Sequence, residues 1–356
     1  MAVREELLKN IRTVEPYVPG EQPQEKVIKL NTNENPYPPA PGVKKELDSL
    51  DPADFRLYPD PASGVLVKAL AENYGVREDQ IFVGVGSDDV LSLCFLTFFN
   101  SEKPVLFPDI TYSFYKVWAQ LYRIPYECPP LDRDFRIVRT DYYRENGGII
   151  FPNPNAPTAI YEGLDFVEDI LRHNRDSIVI VDEAYVDFAG ESAMGLIGKY
   201  DNLIVTQTFS KSRSMAGMRI GYAVSSPDLI RCLNDVKYSF NSYTMSRAAL
   251  VCGAAAVRDR DYFEENIKKI KETRERAKRE LSGLGFEFTD SGANFLFVRH
   301  PEYDGTRLFT RLKEAGIYVR HWEDERIRQY LRITVGTDEE MEKLFEFLRD
   351  YEETET

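Results

Sequence analysis

Cysteine and histidine are scarce in this chain, with four of the first and three of the second among 356 residues. Cys94, Cys128, Cys232 and Cys252 lie far apart without paired spacing, so neither a disulfide framework nor a zinc site is expected. His173, His300 and His321 have no spacing that puts two of them on one face of an element, which removes metal catalysis from the candidate chemistries. Long apolar runs are also missing. The longest, Val90–Phe99 and Ser177–Val181, fall well short of the roughly 20 residues a membrane helix needs, and both have polar flanks. The opening MAVREELLKNIRTVEPYVPG mixes acidic with basic residues around no apolar core, so it reads as neither a secretion nor a transit signal. A soluble protein with no membrane partner, in a cytoplasmic setting, is expected.

Positive charge is in deficit: 45 Lys and Arg against 59 Asp and Glu leave a formal net charge of −14. That excess repels polyanions at long range and no basic stripe interrupts it, so nucleic acid is not an expected partner. An anionic small molecule has to be drawn in by individual arginines.

What is present is an α/β pattern. After a Pro- and Asn-rich opening from Pro16 to Pro41, short β-branched runs alternate with amphipathic stretches: IFVGVG, PVLFP, GGIIF, SIVIVD, NLIVTQT and RIGYAV. Runs such as IVIV show no alternation, as in a parallel sheet covered by helices on both faces. From about Asp261 the pattern changes to a long charged helix, the strand ANFLFV, a helix near Leu308 and the strand YLRITVG. The length suits one sizeable core and a smaller second one. The expected division is an N-terminal arm over 1–42, a large domain over 43–260 with a mostly parallel sheet, and a small α+β domain over 261–356.

In open parallel sheets ligands bind beyond the carboxyl ends of the strands. IFVGVG is followed by Ser87, Asp88 and Asp89, with Ser87 as a capping residue for a helix whose free amides suit a phosphate. SIVIV is followed by Asp182 and Tyr185, and NLIVTQT by Ser210 and Lys211. Taken singly, each has a plain structural reading as a cap or a solvated charge. Together they supply an amine, an anion, a phenol and a phosphate cradle, the set that pyridoxal 5'-phosphate demands.

With LNTNENPYPPAP, YPDP, NPNAPT, VDEAYVDF, TFSKSRSMAGMRIGY and LRITVGT in this order, the chain resembles the fold type I aminotransferases, and among them the histidinol-phosphate aminotransferase family. The resemblance implies that Lys211 is the Schiff-base lysine and proton carrier, that Asp182 holds the pyridinium nitrogen, and that Tyr185 meets the cofactor O3' with help from Asn155. Many relatives have Asn directly before the Pro-Thr of that loop and Gly after it, where this chain has Ala156 and Ala159. Tyr112 is the implied stacking aromatic. The phosphate is assigned to the amides at Ser87 and Asp88, to Thr208, Ser210 and Arg219, and to Tyr58 from a second subunit, which makes the protein a homodimer with shared active sites. Arg332 is the implied carboxylate fork, with Arg320 and Tyr17 as further candidates for a substrate phosphate. Asn33 and Asn294 recur near the substrate in the family and are read here as turn-fixing residues. The implied reaction, a step of histidine biosynthesis, exchanges an amino group between histidinol phosphate and 2-oxoglutarate. Threonine-phosphate decarboxylation and aromatic-amino-acid transamination stay open as alternatives, whereas a regulatory module without turnover, which usually carries a DNA-binding domain in front, is not expected.

Overall fold

The protein is described by a computed structural model covering residues 3–355. Its strands, in chain order, begin with β1 (Ile28–Lys29) in the extended arm, followed by β2 (Ile81–Gly84), β3 (Val105–Leu106), β4 (Tyr126–Glu127), β5 (Gly148–Pro152), β6 (Val179–Asp182), β7 (Leu203–Thr208) and β8 (Gly221–Val224). Among the described residues β2 to β8 form one seven-stranded sheet in the order β2-β8-β7-β6-β5-β3-β4. All its pairings are parallel except those of β8, which runs antiparallel to both β2 and β7. This is the mostly parallel sheet the apolar runs imply.

The lack of alternation in those runs has a visible cause. Ile150, Ile180 and Ile204 point into one core with Phe82, Leu91 and Phe95, whereas their neighbours Ile149, Val179 and Leu203 point into another with Phe166 and Ile170. Both faces are therefore dry, and apolar residues are required at every position. Each fully buried isoleucine contributes about 1.5–3 kcal/mol by leaving water.

The remaining strands, β9 (Glu287–Phe288), β10 (Phe295–Arg299), β11 (Ile317–Tyr318), β12 (Arg320–His321) and β13 (Leu331–Thr334), follow the long helix Arg260–Gly283. β12-β13-β10-β9 make an antiparallel sheet over a core that includes Leu296, Leu308, Ile333 and Phe345. The arm joins this part: β1 pairs in parallel with β11, and Leu30 enters the same core.

Sheet direction positions the site. Because β8 opposes both neighbours, β2 and β7 run the same way, and Gly84, Gly221 and Thr208 lie side by side at one edge. Asp182, at the end of β6, and Pro152, at the end of β5, reach that edge too. The helix Ser87–Phe98 starts beside them. Its N-cap position is taken by Gly86 at φ 94°, and Ser87 is its first residue with no side-chain cap, which corrects the expected role of Ser87. The reason is the backbone: a φ of 94° is a conformation that a residue with a Cβ rarely adopts.

Candidate active site

The strand ends open into a cavity of about 280 Å³. Asp182 lies buried at its base. Tyr115, from the helix Phe114–Tyr122, donates to Asp182 Oδ2 at 2.8 Å, and Thr206 Oγ1 donates to Oδ1 at 3.4 Å. Burial drives the carboxyl up to about 6, and the hydroxyls of Tyr115 and Thr206 hold it below where burial alone would put it. A cation arriving in the cavity therefore meets an anion that is poorly solvated and ready to pair.

Lys211 lines the same cavity. Its Nζ donates to the Thr32 carbonyl at 2.8 Å and lies 5.8 Å from the centre of the Tyr185 ring. Burial, reinforced by the charge of Arg332, lowers the amine to about 8. An appreciable neutral fraction is thus present near physiological pH, which a nucleophilic amine requires. Burial raises the Tyr185 phenol, while Arg332 and an Asn33 hydrogen bond pull it back.

At the start of the helix Ser87–Phe98 the backbone is bare by necessity. A Cβ on Gly221 would lie 2.3 Å from Ser87 N, so only glycine fits. Thr208 and Ser210 line this corner, with Thr208 Oγ1 donating to Ser210 Oγ at 3.1 Å. Arg219 Nη2 pairs with Asp88 Oδ2 at 3.2 Å, and Tyr112 donates its hydroxyl to Asp88 Oδ1 at 2.7 Å. Asp88 therefore orients both a guanidinium and an aromatic ring, a role with no sequence signal because it depends on two residues brought in by tertiary structure.

Opposite this corner stand two arginines. The ladder between β12 and β13 places Arg320 directly across from Arg332, and both lie over the Trp322 ring, at 5.8 and 5.5 Å. Arg332 Nη2 donates to the Asn31 carbonyl at 2.7 Å, yet its buried Nε has no partner. Arg320 Nη2 reaches the Val18 carbonyl at 3.3 Å. Tyr17 lines the cavity and stacks on Phe114 with centroids 4.2 Å apart.

Two expected site residues do not line this chain's own cavity. Asn155 does not line the cavity: its amide donates to the Ile110 carbonyl at 3.0 Å and to Thr158 Oγ1 at 2.9 Å, and its oxygen accepts from Thr111. Tyr58 is 79% exposed, stacked on Tyr243, and outside its own chain's cavity. Sequence reasoning in turn missed Tyr115, Trp322 and Asp88's side chain. For Trp322 the one available signal was an aromatic two residues beyond a candidate arginine.

A primary amine, a buried carboxylate, a phenol and a bare helix terminus beside a guanidinium thus surround one space, and this donor set fits pyridoxal phosphate. The family model for aminotransferase class I and II matches residues 25–348. This chain belongs to that family. Its aminotransferase relatives include the histidinol-phosphate aminotransferase of Lactococcus lactis subsp. cremoris (strain MG1363), 52% identical over 343 residues and 96% of each chain. That of Pseudomonas syringae pv. syringae (strain B728a) is 53% identical over 339 residues, 94% of this chain and 96% of that one. The crystal structure of histidinol-phosphate aminotransferase from Sinorhizobium meliloti in complex with pyridoxal-5'-phosphate superposes with a TM-score of 0.83 at 25% identity, covering 92% of this aminotransferase and 91% of that chain. The family's cofactor is pyridoxal phosphate, and fold type I is the architecture shared with these structures.

Proposed function

We propose that this aminotransferase exchanges an amino group between histidinol phosphate and 2-oxoglutarate, a step of histidine biosynthesis. The observation that carries the phosphorylated substrate is the cross-strand pair Arg320–Arg332. Like charges directly opposite on a sheet are destabilising. Two guanidiniums sharing the face of one indole become favourable when a dianion sits between them. A carboxylate of glutamate suits the same planar fork in the other half of the exchange.

When bound, pyridoxal phosphate supplies a carbon that takes up the amino group and a ring that spreads the charge left when the substrate Cα proton departs. Lys211 would be its covalent anchor and would supply the amine that moves the substrate Cα proton. Asp182 keeps a proton on the ring nitrogen. Tyr185 donates to the phenolic oxygen, and Tyr112 covers the ring. Ser87, Asp88, Thr208, Ser210 and Arg219 grip the phosphate, with Tyr58 contributed by the partner subunit of a homodimer. Arg332, Arg320 and Tyr17 hold the substrate anion. Asn155, its donors spent elsewhere, is assigned to shaping the loop. The same reading divides the chain into arm (1–42), large domain (43–260) and small domain (261–356), and places the enzyme in the cytoplasm. Among the described residues no helix is long and apolar enough to cross a membrane.

The test is a spectral titration of the purified holoenzyme with glutamate, then separately with histidinol phosphate, phosphothreonine and phenylalanine. Rapid loss of the visible band with the first two supports the reading. Carbon dioxide released from phosphothreonine would replace it with decarboxylation, and faster turnover of phenylalanine with aromatic transamination.

A further inference from the structure

Asn33 ties together three segments that are far apart in the sequence. It is 1% exposed and adopts a left-handed backbone, φ 57°. Its N–H donates to Thr334 Oγ1 at 3.0 Å, and the Thr334 hydroxyl donates to Asn33 Oδ1 at 3.1 Å. Its carbonyl accepts from Asn294 Nδ2 at 3.0 Å. With Oδ1 held by Thr334, the amide cannot flip without losing that bond, so Nδ2 stays aimed at Tyr185. It donates to Tyr185 Oη at 3.0 Å.

A phenol oxygen that accepts an N–H has to direct its own proton elsewhere. Tyr185 lines the cavity, so that proton is free to point inward. The neighbouring wall gives it little help: Ala156 presents a methyl group, and both amide hydrogens of Asn155 are committed away from the cavity.

We propose that Asn33 is a positioning residue for transamination, its Nδ2–H turning the Tyr185 proton into the cavity toward the cofactor's phenolic oxygen. The proposal rests on the functional reading above. It also joins the phenol to the substrate grip. Thr334 lies two residues beyond Arg332 on β13, and Arg332 itself holds the arm at Asn31. The strand that carries the anion fork therefore also orients the amide that orients the phenol.

Two neutral variants test it. Asn33→Gly removes the side chain and tolerates the positive φ. Thr334→Val keeps the shape but releases Oδ1. The readout is the pH midpoint of the holoenzyme's visible absorbance, recorded with the melting temperature. A phenol that donates to the cofactor oxygen lowers the basicity of the lysine–cofactor linkage. Losing that direction should raise the midpoint, by up to about one pH unit for Asn33→Gly, which is what one net hydrogen bond supports, and by less for Thr334→Val. In a Tyr185→Phe background neither change should move the midpoint further. A lower melting temperature with an unshifted midpoint, or an equal shift in the Tyr185→Phe background, would overturn the proposal and leave the assigned function standing. A wild-type protein that takes up no cofactor would overturn both.

Discussion

The Tyr115 hydroxyl donates to Asp182 Oδ2 at 2.8 Å, and both side chains are buried. Removing that donor should raise the carboxyl further, because a hydrogen bond to the charged form is lost. Tyr115→Phe is expected to weaken cofactor binding about tenfold near neutral pH, the scale of one hydrogen bond to a charged group. The gap should narrow toward about pH 9, where the carboxyl ionises regardless. Equilibrium binding across that range is the check, and a pH-independent deficit would assign Tyr115 a packing role alone.

Asp182 also carries a stability consequence. Its carboxyl is raised from 3.8 to about 6, mainly by burial. Between those values the unfolded chain gives up a proton that the folded, cofactor-free protein retains. Stability is therefore lost as pH rises through that window and stays lost above it, by about 3 kcal/mol if the whole shift counts. Asp182→Asn should make the cofactor-free protein melt higher than wild type near pH 8 and match it near pH 3.5. The same variant should bind cofactor yet turn over far more slowly.

Lys211 sets the rate of cofactor capture. With the amine at about 8, uptake by the cofactor-free protein should climb about tenfold per pH unit below that value and level off above it. Lys211→Ala should show no visible band and lose about 10³-fold or more in turnover. Stopped-flow absorbance gives both numbers.

Arg332→Lys replaces a planar fork with a point charge. A loss of about 2–3 kcal/mol in kcat/KM, or roughly 30- to 150-fold, is expected in both half-reactions, since one fork serves both anions. A loss confined to one substrate would mean that Arg320 acts as a separate anion site.

Tyr58 should act in trans. Mixing Lys211→Ala with Tyr58→Phe chains yields hybrid dimers with one site assembled from two unaltered contributions. Random pairing and one good site per hybrid predict recovery of about a quarter of wild-type activity above the parents. Recovery no greater than the average of the two parents would place Tyr58 outside the site.

The sheet was legible where the residues themselves carry the signal. β5, β6 and β7 each carry a run of three apolar residues because helices cover both faces, and a strand with one face in water would have shown polar residues at every second position. β4, β9, β11 and β12 are two residues long, too short for any alternation to register. The antiparallel course of β8 was equally hidden, since it depends on how residues 209–220 turn back rather than on the strand's composition. In the cavity, Asp182, Tyr185 and Lys211 could be picked out because each follows a strand that ends at the same edge. Tyr115 lies inside a helix and Asn33 in the arm, so only the folded chain brings them to Asp182 and Tyr185. Asn155 shows the converse, where a motif names the residue but the loop turns its amide away.

The cross-strand arginines have a kinetic consequence. Arg320 and Arg332 lie inside a protein whose formal charge is −14. An anionic substrate is repelled while distant and attracted only near the end of its approach. Salt at 0.1 M screens charges beyond about 10 Å, which relieves the distant repulsion before it weakens the final grip. The association rate of a phosphorylated substrate should therefore rise with added salt to a maximum before it falls, so that the cell's own ionic strength helps the substrate reach the enzyme.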